Sequence, residues 1–282
     1  MQRIAISGAS GLIGSALVGK LKSEGYTVQR LVRRPTVSSE EIFWNPATQE
    51  IDIAALEGVD AVIHLAGAGV GDKRWTKKYK AEILNSRLLG TTTIANAVAQ
   101  VKPKAFITSS AIGWYGETGN RAVTETDRGG DDFLAAVCRE WEAAADLAGD
   151  VRTVKIRTGL VLDPTGGALG RMLPLFRFGL GGKLGNGKQW WSWITLHDQL
   201  RAIQFVLENN EISGPVNLTA PNPVTNQEFT SALARALRRP ALFPAPAFAL
   251  KLALGGFSTE ILGSKKVLPA ALQDAEIGRA HV

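Results

Sequence analysis

Apolar positions along the chain follow two periods. Short apolar runs bounded by glycine or polar residues, RIAISG (3–8), YTVQRLV (26–32), EIFWN (41–45), AVIHLAG (61–67) and AFITSSA (105–111), read as strands. Between them, residues 12–24, 78–100 and 132–149 space their apolar side chains three and four apart, as amphipathic helices do. Strand–helix alternation implies right-handed crossovers and an α/β fold built on a doubly wound parallel Rossmann sheet. VRTVKIRTGLVL (151–162) reads as one further parallel strand. Ligands of such sheets lie beyond the C-terminal strand ends near the switch point. That directs the chemistry to Gly8–Gly14, Ala66–Gly71, Ser109–Tyr115 and Thr158–Leu160.

After residue 163 the texture turns glycine- and tryptophan-rich, with helices expected at 168–179, 195–210 and from Thr225, and a strand at PVNLTA. The expected organisation is a nucleotide-binding domain over 1–162 and a smaller C-terminal substrate-facing lobe over 163–275, interleaved with the core. The apolar segment FPAPAFALKLALGGF (243–257) reads as core or dimer packing, which makes a homodimer the assembly it suggests. No internal repeat is present.

Gly8, Gly11 and Gly14 turn the first strand directly into a helix. A helix begun this way has unpaired backbone N–H groups aimed outward, ready for a phosphate. Gly11 allows close approach of a pyrophosphate and Gly14 allows tight helix–strand packing. Acidic residues, which bind the ribose 2′-hydroxyl of NAD, are missing from the end of the second strand; Arg30, Arg33 and Arg34 stand there instead. A guanidinium forks onto a 2′-phosphate, so the expected cofactor is NADP(H), with Arg33 or Arg34 making the main contact. The expected cofactor-binding residues are Gly8, Ser10, Gly11, Leu12, Ile13, Gly14, Arg33, Arg34, Leu65, Ala66, Gly67 and Ser109.

The 282 residues, 45% apolar, suffice for one large core. A single cysteine, Cys138, excludes an internal disulfide and fits a reducing compartment. The glycine loop occupies the place of a signal peptide, and no charge-free apolar run has the length of a membrane span, so the expectation is a soluble, cytoplasmic protein without a membrane span. Net charge is +6, with basic clusters at RLVRRP and DKRWTKKYK; cofactor binding and a solvated helix face account for them, and no nucleic-acid partner is expected. No metal-ligand cluster is evident. The tail EIGRAHV (276–282) with its stop back-translates into the opening of a common sequencing adapter, so the natural chain is expected to continue past Ala275.

GASGLIG, HLAG, KRW (73–75), SAIGWYG (110–116), RTGLVL (157–162), GNGKQ (185–189) and HD (197–198) together resemble the atypical, extended branch of the short-chain dehydrogenase/reductases, NAD-dependent epimerase/dehydratase-like, with a C-terminal segment of unknown function. The resemblance runs to about Leu272, and the family's further GF-x-F stretch is missing. It implies a Rossmann fold and nicotinamide chemistry on a small-molecule substrate.

The resemblance also exposes departures. Ordinary members use a serine and a Tyr-x-x-x-Lys pair, the lysine lowering the tyrosine pKa for proton exchange. The matching positions here are Ala111, Cys138 and Glu142. Tyr115, Ser110 and Glu142 are therefore the candidate proton-transfer residues. A packing role for Tyr115 and a solvated helix position for Glu142 stand beside that reading, and His197–Asp198 reads as structural capping. Where sugar-nucleotide enzymes place a diphosphate-gripping arginine, this chain has Trp191. Trp191, Lys188 and Gln189 are the candidate substrate residues, with Lys183, Trp190, Trp193, Trp75 and Trp114 as possible additions. Three functions remain open: an NADP(H)-dependent oxidoreductase, a non-catalytic NADP(H)-binding sensor or scaffold, and a sugar-nucleotide epimerase or dehydratase.

Overall fold

A computed structural model describes residues 2–275; the tail at 276–282 lies outside the described residues. Eight strands form the central sheet: β1 (Arg3–Ser7), β2 (Thr27–Val32), β3 (Glu41–Asn45), β4 (Glu50–Ile51), β5 (Ala61–His64), β6 (Ala105–Ala111), β8 (Thr153–Thr158) and β12 (Gly214–Leu218). Their order is β12-β8-β6-β5-β1-β2-β3-β4, parallel throughout except for the antiparallel edge pair β3–β4. The order reverses at β1, between β2 and β5, which opens a crevice at the sheet's C-terminal edge.

Helices α1 (Leu12–Ser23) and α6 (Leu196–Glu208) cover one face, where Leu17, Leu21, Ile203 and Val206 pack on Ile4, Ile6, Ile63, Ile107 and Ile156. On the other face α3 (Lys77–Val101) supplies Ile94 and Val98 to a second core with Ala5, Val62 and Phe106. The α2 turn (Ile53–Leu56) adds Leu56, and the end of α4 (Phe133–Ala145) adds Ala145. Local signals fix the helix starts. Thr76 Oγ1 accepts the N–H of Tyr79 at 3.1 Å, and an Asp132 carboxylate oxygen accepts that of Ala135 at 2.9 Å. Thr225 and Glu228 form a reciprocal capping box at α7 (Asn226–Leu237).

The expected strand over 151–162 is divided. The division falls at Gly159, where only glycine fits: a Cβ there would lie 2.6 Å from Ser192 O and 2.8 Å from Thr219 Cγ2. After the break β9 (Leu160–Asp163) leaves the sheet and pairs with β11 (Trp193–Thr195). The other short pairs are β10 (Trp190–Trp191) with β13 (Val224–Thr225), and β7 (Ala122–Val123) with β14 (Lys266–Val267). The last pair ties the C-terminal segment to the first half of the chain. Residues 163–275 are interleaved with the sheet: α5 (Gly167–Arg177) lies outside it, whereas α6 and β12 return to it.

The apolar 243–257 segment corrects the expectation of core packing. Helix α8 (Ala247–Leu254) has no buried residue, and Phe248 and Leu252 are each 75% exposed. A short turn leads on to α9 (Ser258–Leu262) and α10 (Ala270–Asp274). Among the described residues no helix is long and apolar enough to cross a membrane, and no three His, Cys, Asp or Glu side chains cluster as metal ligands.

Candidate active site

The crevice begins where β1 meets α1. Gly8 takes a positive φ of 70°, and a Cβ on it would lie 2.7 Å from the carbonyl carbon of Leu65. Gly14 packs against the same turn so closely that a Cβ would overlap Gly8 O. These approaches pull the first turn of α1 against the ends of β1 and β5. At Gly11 the nearest atom to an added Cβ is Gly8 O at 3.4 Å, so the other side of that residue is open. No side chain caps α1, leaving its first backbone N–H groups for an incoming anion.

Two adjoining cavities share Gly8. One, of about 1180 Å³, is bordered by Ser10, Ala66 and Gly67 and runs past Trp44 to Arg30, Arg33 and Arg34. The other, about 320 Å³, is bordered by Gly11, Leu12, Ile13, Gly14, Leu65 and Ser109, and by Gly159 and Leu160. All twelve residues expected at the cofactor site thus border one or other of these two cavities. A buried pair supports its floor: Ser7 Oγ lies 2.6 Å from His64 Nδ1 and accepts the N–H of Leu65 at 3.2 Å. Complete burial pushes the His64 pKa down to about 3, so the ring is neutral at physiological pH.

The arginine end of the groove departs from expectation in one respect. An acid is present, though it arrives on the neighbouring strand. Glu41 of β3, its side chain buried, accepts Arg34 Nη1 at 2.8 Å and Nη2 at 2.7 Å, and Arg30 Nη2 at 2.9 Å. The Arg34 fork and the Val37 N–H pull the Glu41 carboxyl down to about 2. Arg33 is exposed and makes no hydrogen bond or ion pair among the described residues. Both arginines lie beyond the end of β2, and Glu41 distinguishes them by engaging Arg34.

The three candidate proton-transfer residues meet, but in a sealed network. Ser110 Oγ donates to Glu142 Oε1 at 2.6 Å. Arg157 of β8 grips the same carboxylate side-on, Nε to Oε1 at 2.8 Å and Nη2 to Oε2 at 2.9 Å. Arg157 Nη1 donates to the Tyr115 hydroxyl at 3.0 Å, which donates onward to Asn217 Oδ1 at 2.8 Å. The Trp114 ring covers the Arg157 guanidinium at 4.0 Å. Glu142 is 5% exposed, Arg157 3%, Ser110 3% and Tyr115 2%. Burial pushes the Tyr115 hydroxyl up to about 12, and none of the three borders either cavity. The expectation that Tyr115 serves as an acid beside the cofactor is corrected accordingly. Its hydroxyl is committed inside the protein, as are Ser110 and Glu142. Cys138 is also enclosed, its Sγ 3.7 Å from Ala111 O, and burial followed by the Glu142 charge pushes the thiol up to about 12.

The candidate substrate residues stand apart from the groove. The Gln189 amide donates to Leu184 O at 3.0 Å, and the Trp191 ring packs on Phe229 at 5.2 Å. Lys188 is exposed, and none of the three borders the two cavities. Trp190 donates to Asn120 at 3.0 Å and Trp75 to Val70 O at 2.7 Å. Asp198 is capped by Thr195, leaving His197 exposed. Sequence reasoning missed Glu41, Arg157, Asn217, Trp44, Gly167 and Ala168. Only the RTGLVL motif signalled any of them, because it carries Arg157. The rest come from strands and turns whose neighbours are set by topology.

Comparison with known proteins agrees with this geometry. Residues 4–218 match the NAD dependent epimerase/dehydratase family, and residues 245–276 match a domain of unknown function, DUF1731. An epimerase family protein of Mycobacterium leprae is 46% identical over 276 residues, 96% of this chain and 90% of that protein. The crystal structure of the human epimerase family protein SDR39U1 with NADPH superposes with a TM-score of 0.91 at 33% identity, covering 99% of this chain and 95% of that one. A nucleoside-diphosphate sugar epimerase structure from Corynebacterium glutamicum gives 0.80 at 35% identity, covering 99% of this chain and 56% of the other. This chain belongs to the NAD dependent epimerase/dehydratase family and carries the DUF1731 segment at its C-terminal end.

Proposed function

We propose that the protein is an NADP(H)-dependent oxidoreductase acting on a small organic substrate. The observation that carries this reading is the groove itself, with the uncapped α1 N-terminus midway along it and the unpaired Arg33 at one end. The helix terminus suits a pyrophosphate, and Arg33 suits a 2′-phosphate. A relative at 33% identity is named as an NADPH complex, which supports the same choice of cofactor. When bound, the nicotinamide supplies or accepts a hydride. The chain's own part is to bind, orient and exclude water. Ser109 borders the smaller cavity and its hydroxyl makes no hydrogen bond among the described residues, so it is the group available to hold a substrate oxygen. Ser110, Glu142 and Tyr115 are spent elsewhere, so proton delivery falls to another group.

That sealed network favours a second reading, a non-catalytic NADP(H)-binding sensor or scaffold, since the fold outlives any one chemistry. A sugar-nucleotide substrate finds less support, because Gln189 and Trp191 are engaged internally. The deciding experiment loads the protein with NADPH, verifies binding by titration, and follows cofactor absorbance against a panel of carbonyl and enone compounds. Turnover of any member supports the oxidoreductase. Tight NADPH binding with no turnover across the panel supports the sensor.

A further inference from the structure

Two buried cations in this protein are ion-paired. Arg157 and Lys265 each hold a carboxylate, Glu142 and Glu260. Arg152 has none, but its guanidinium donates to the carbonyls of Val206, Leu207, Asn209 and Ile212 around the end of α6. Arg87, on α3, breaks the pattern. It is partly buried, and no carboxylate lies within ion-pair distance among the described residues. Only its Nη1 is engaged, donating to Ala68 O at 2.9 Å and Ile83 O at 3.1 Å.

Those bonds do more than anchor the chain. They use one nitrogen of the guanidinium while the Trp141 ring stacks on the plane at 4.8 Å from Cζ. The Nε–Nη2 edge makes no hydrogen bond among the described residues, and neither atom is sealed from solvent. That edge carries two parallel N–H donors at the spacing of a carboxylate's two oxygens. The protein provides its own example, because Arg157 holds Glu142 through the same edge at 2.8 and 2.9 Å. Arg87 therefore presents an oriented fork whose Nε–Nη2 edge has no protein partner among the described residues. Leaving a partly desolvated cation unmatched is costly, and such groups cluster at functional sites.

Arg87 itself borders neither cavity, but the segment it holds borders the larger one. Ala68, which Arg87 holds, and Gly67 border the larger cavity, and a Cβ on Gly67 would lie 3.6 Å from the Arg87 guanidinium carbon. On the proposed function a pyrophosphate would sit at the uncapped α1 terminus, which leaves the Arg87 fork for a different anion.

We propose that Arg87 is a substrate-anchoring residue and that the protein's substrate bears a carboxylate, held side-on by Nε and Nη2. The assignment rests on the oxidoreductase reading for the word substrate, but the carboxylate site consists of this chain's residues alone. It is tested by calorimetric titration of benzoate and succinate, with benzamide, succinamide and inorganic phosphate as controls, into protein with and without NADPH. The expected result is that at least one acid binds ten times more tightly than its amide. Arg87→Gln should abolish that difference, and Arg87→Lys should restore part of it. Thermal melts of the two variants verify that each is folded. Equal affinity for acid and amide, no acid binding, an acid preference that survives Arg87→Gln, or binding of phosphate alone would each overturn the proposal. Failure of NADPH to bind while the acid preference persists would instead overturn the oxidoreductase reading and leave the carboxylate site standing.

Discussion

Glu142→Gln tests whether the buried network is structural or catalytic. The substitution keeps the shape of the side chain and one acceptor oxygen but removes the negative charge. Arg157, 3% exposed, then keeps its charge with no carboxylate opposite it, and Ser110 faces a neutral amide across what was a 2.6 Å bond. Breaking a buried ion pair in this way costs about 3–5 kcal/mol, because the surviving charge remains desolvated. A chain of this size loses roughly 2–4 °C of Tm per kcal/mol. The melting temperature should therefore fall by about 6–20 °C.

The double variant Glu142→Gln, Arg157→Met supplies the internal control. With both charges gone the desolvation penalty disappears, so the double variant should be more stable than Glu142→Gln alone. A double-mutant cycle on the melts should give strong positive coupling. Tyr115→Phe leaves Asn217 Oδ1 and Arg157 Nη1 one partner short, and about 1–3 kcal/mol should be lost. Scanning calorimetry in parallel with NADPH titration is the assay, and cofactor affinity should stay within twofold throughout. A Glu142→Gln protein with an unchanged melt and a turnover reduced about 10²-fold would refute the reasoning. It would show that Glu142 transfers protons after all.

At the arginine end of the groove, Arg33→Ala should weaken NADPH binding about ten- to a hundredfold while leaving NADH unchanged. Arg34→Ala should do less, because Arg34 is already paired with Glu41; equal losses from the two would contradict that division. In the glycine loop, Gly11→Val should fold normally and fail to bind NADPH, whereas Gly14→Val should not fold, since its side chain would overlap the Gly8 carbonyl. Circular dichroism and fluorescence titration separate the two outcomes. His64 carries a pH signature. Its folded pKa of about 3 lies below the ordinary 6.5, so only the unfolded chain takes up its proton between those values. The stability it contributes is present above pH 6.5 and is lost as pH falls, by about 2 kcal/mol at pH 5. Urea melts of the unmodified protein and of His64→Gln at pH 7 and pH 5 check this, and the variant should show the smaller loss.

The glycine loop and the helix starts were legible in the sequence because their causes are local. Gly8 needs its positive φ whatever surrounds it, and Thr76, Asp132 and Thr225 cap helices through neighbours three residues away. The division of the 151–162 strand at Gly159 was not legible. It goes with a change of partners, β8 pairing with β12 and β9 with β11, strands brought in by later crossovers. The same limit governed the chemistry. Glu41 is seven residues from Arg34 and meets it because β3 runs beside β2. Arg157 meets Glu142 because β8 lies under α4, and Asn217 meets Tyr115 through β12 at the sheet's edge.

These long-range partners change what the charged residues mean. In sequence, Glu142 is a lone carboxylate at the position that the resemblance matches to the lysine of ordinary short-chain dehydrogenases, and Arg157 an unremarkable strand residue. Paired, they exchange the usual polarity of that position: the cation comes from the strand and the anion from the helix. A tyrosine at position 138 would then face a carboxylate rather than an ammonium, which would raise its pKa instead of lowering it. A tyrosine at 138 and a glutamate at 142 are therefore a poor electrostatic match for proton transfer. With Glu142 in the helix, a proton-donating tyrosine at 138 would have no ammonium to activate it. Any reaction in this groove has to draw on groups outside that pair.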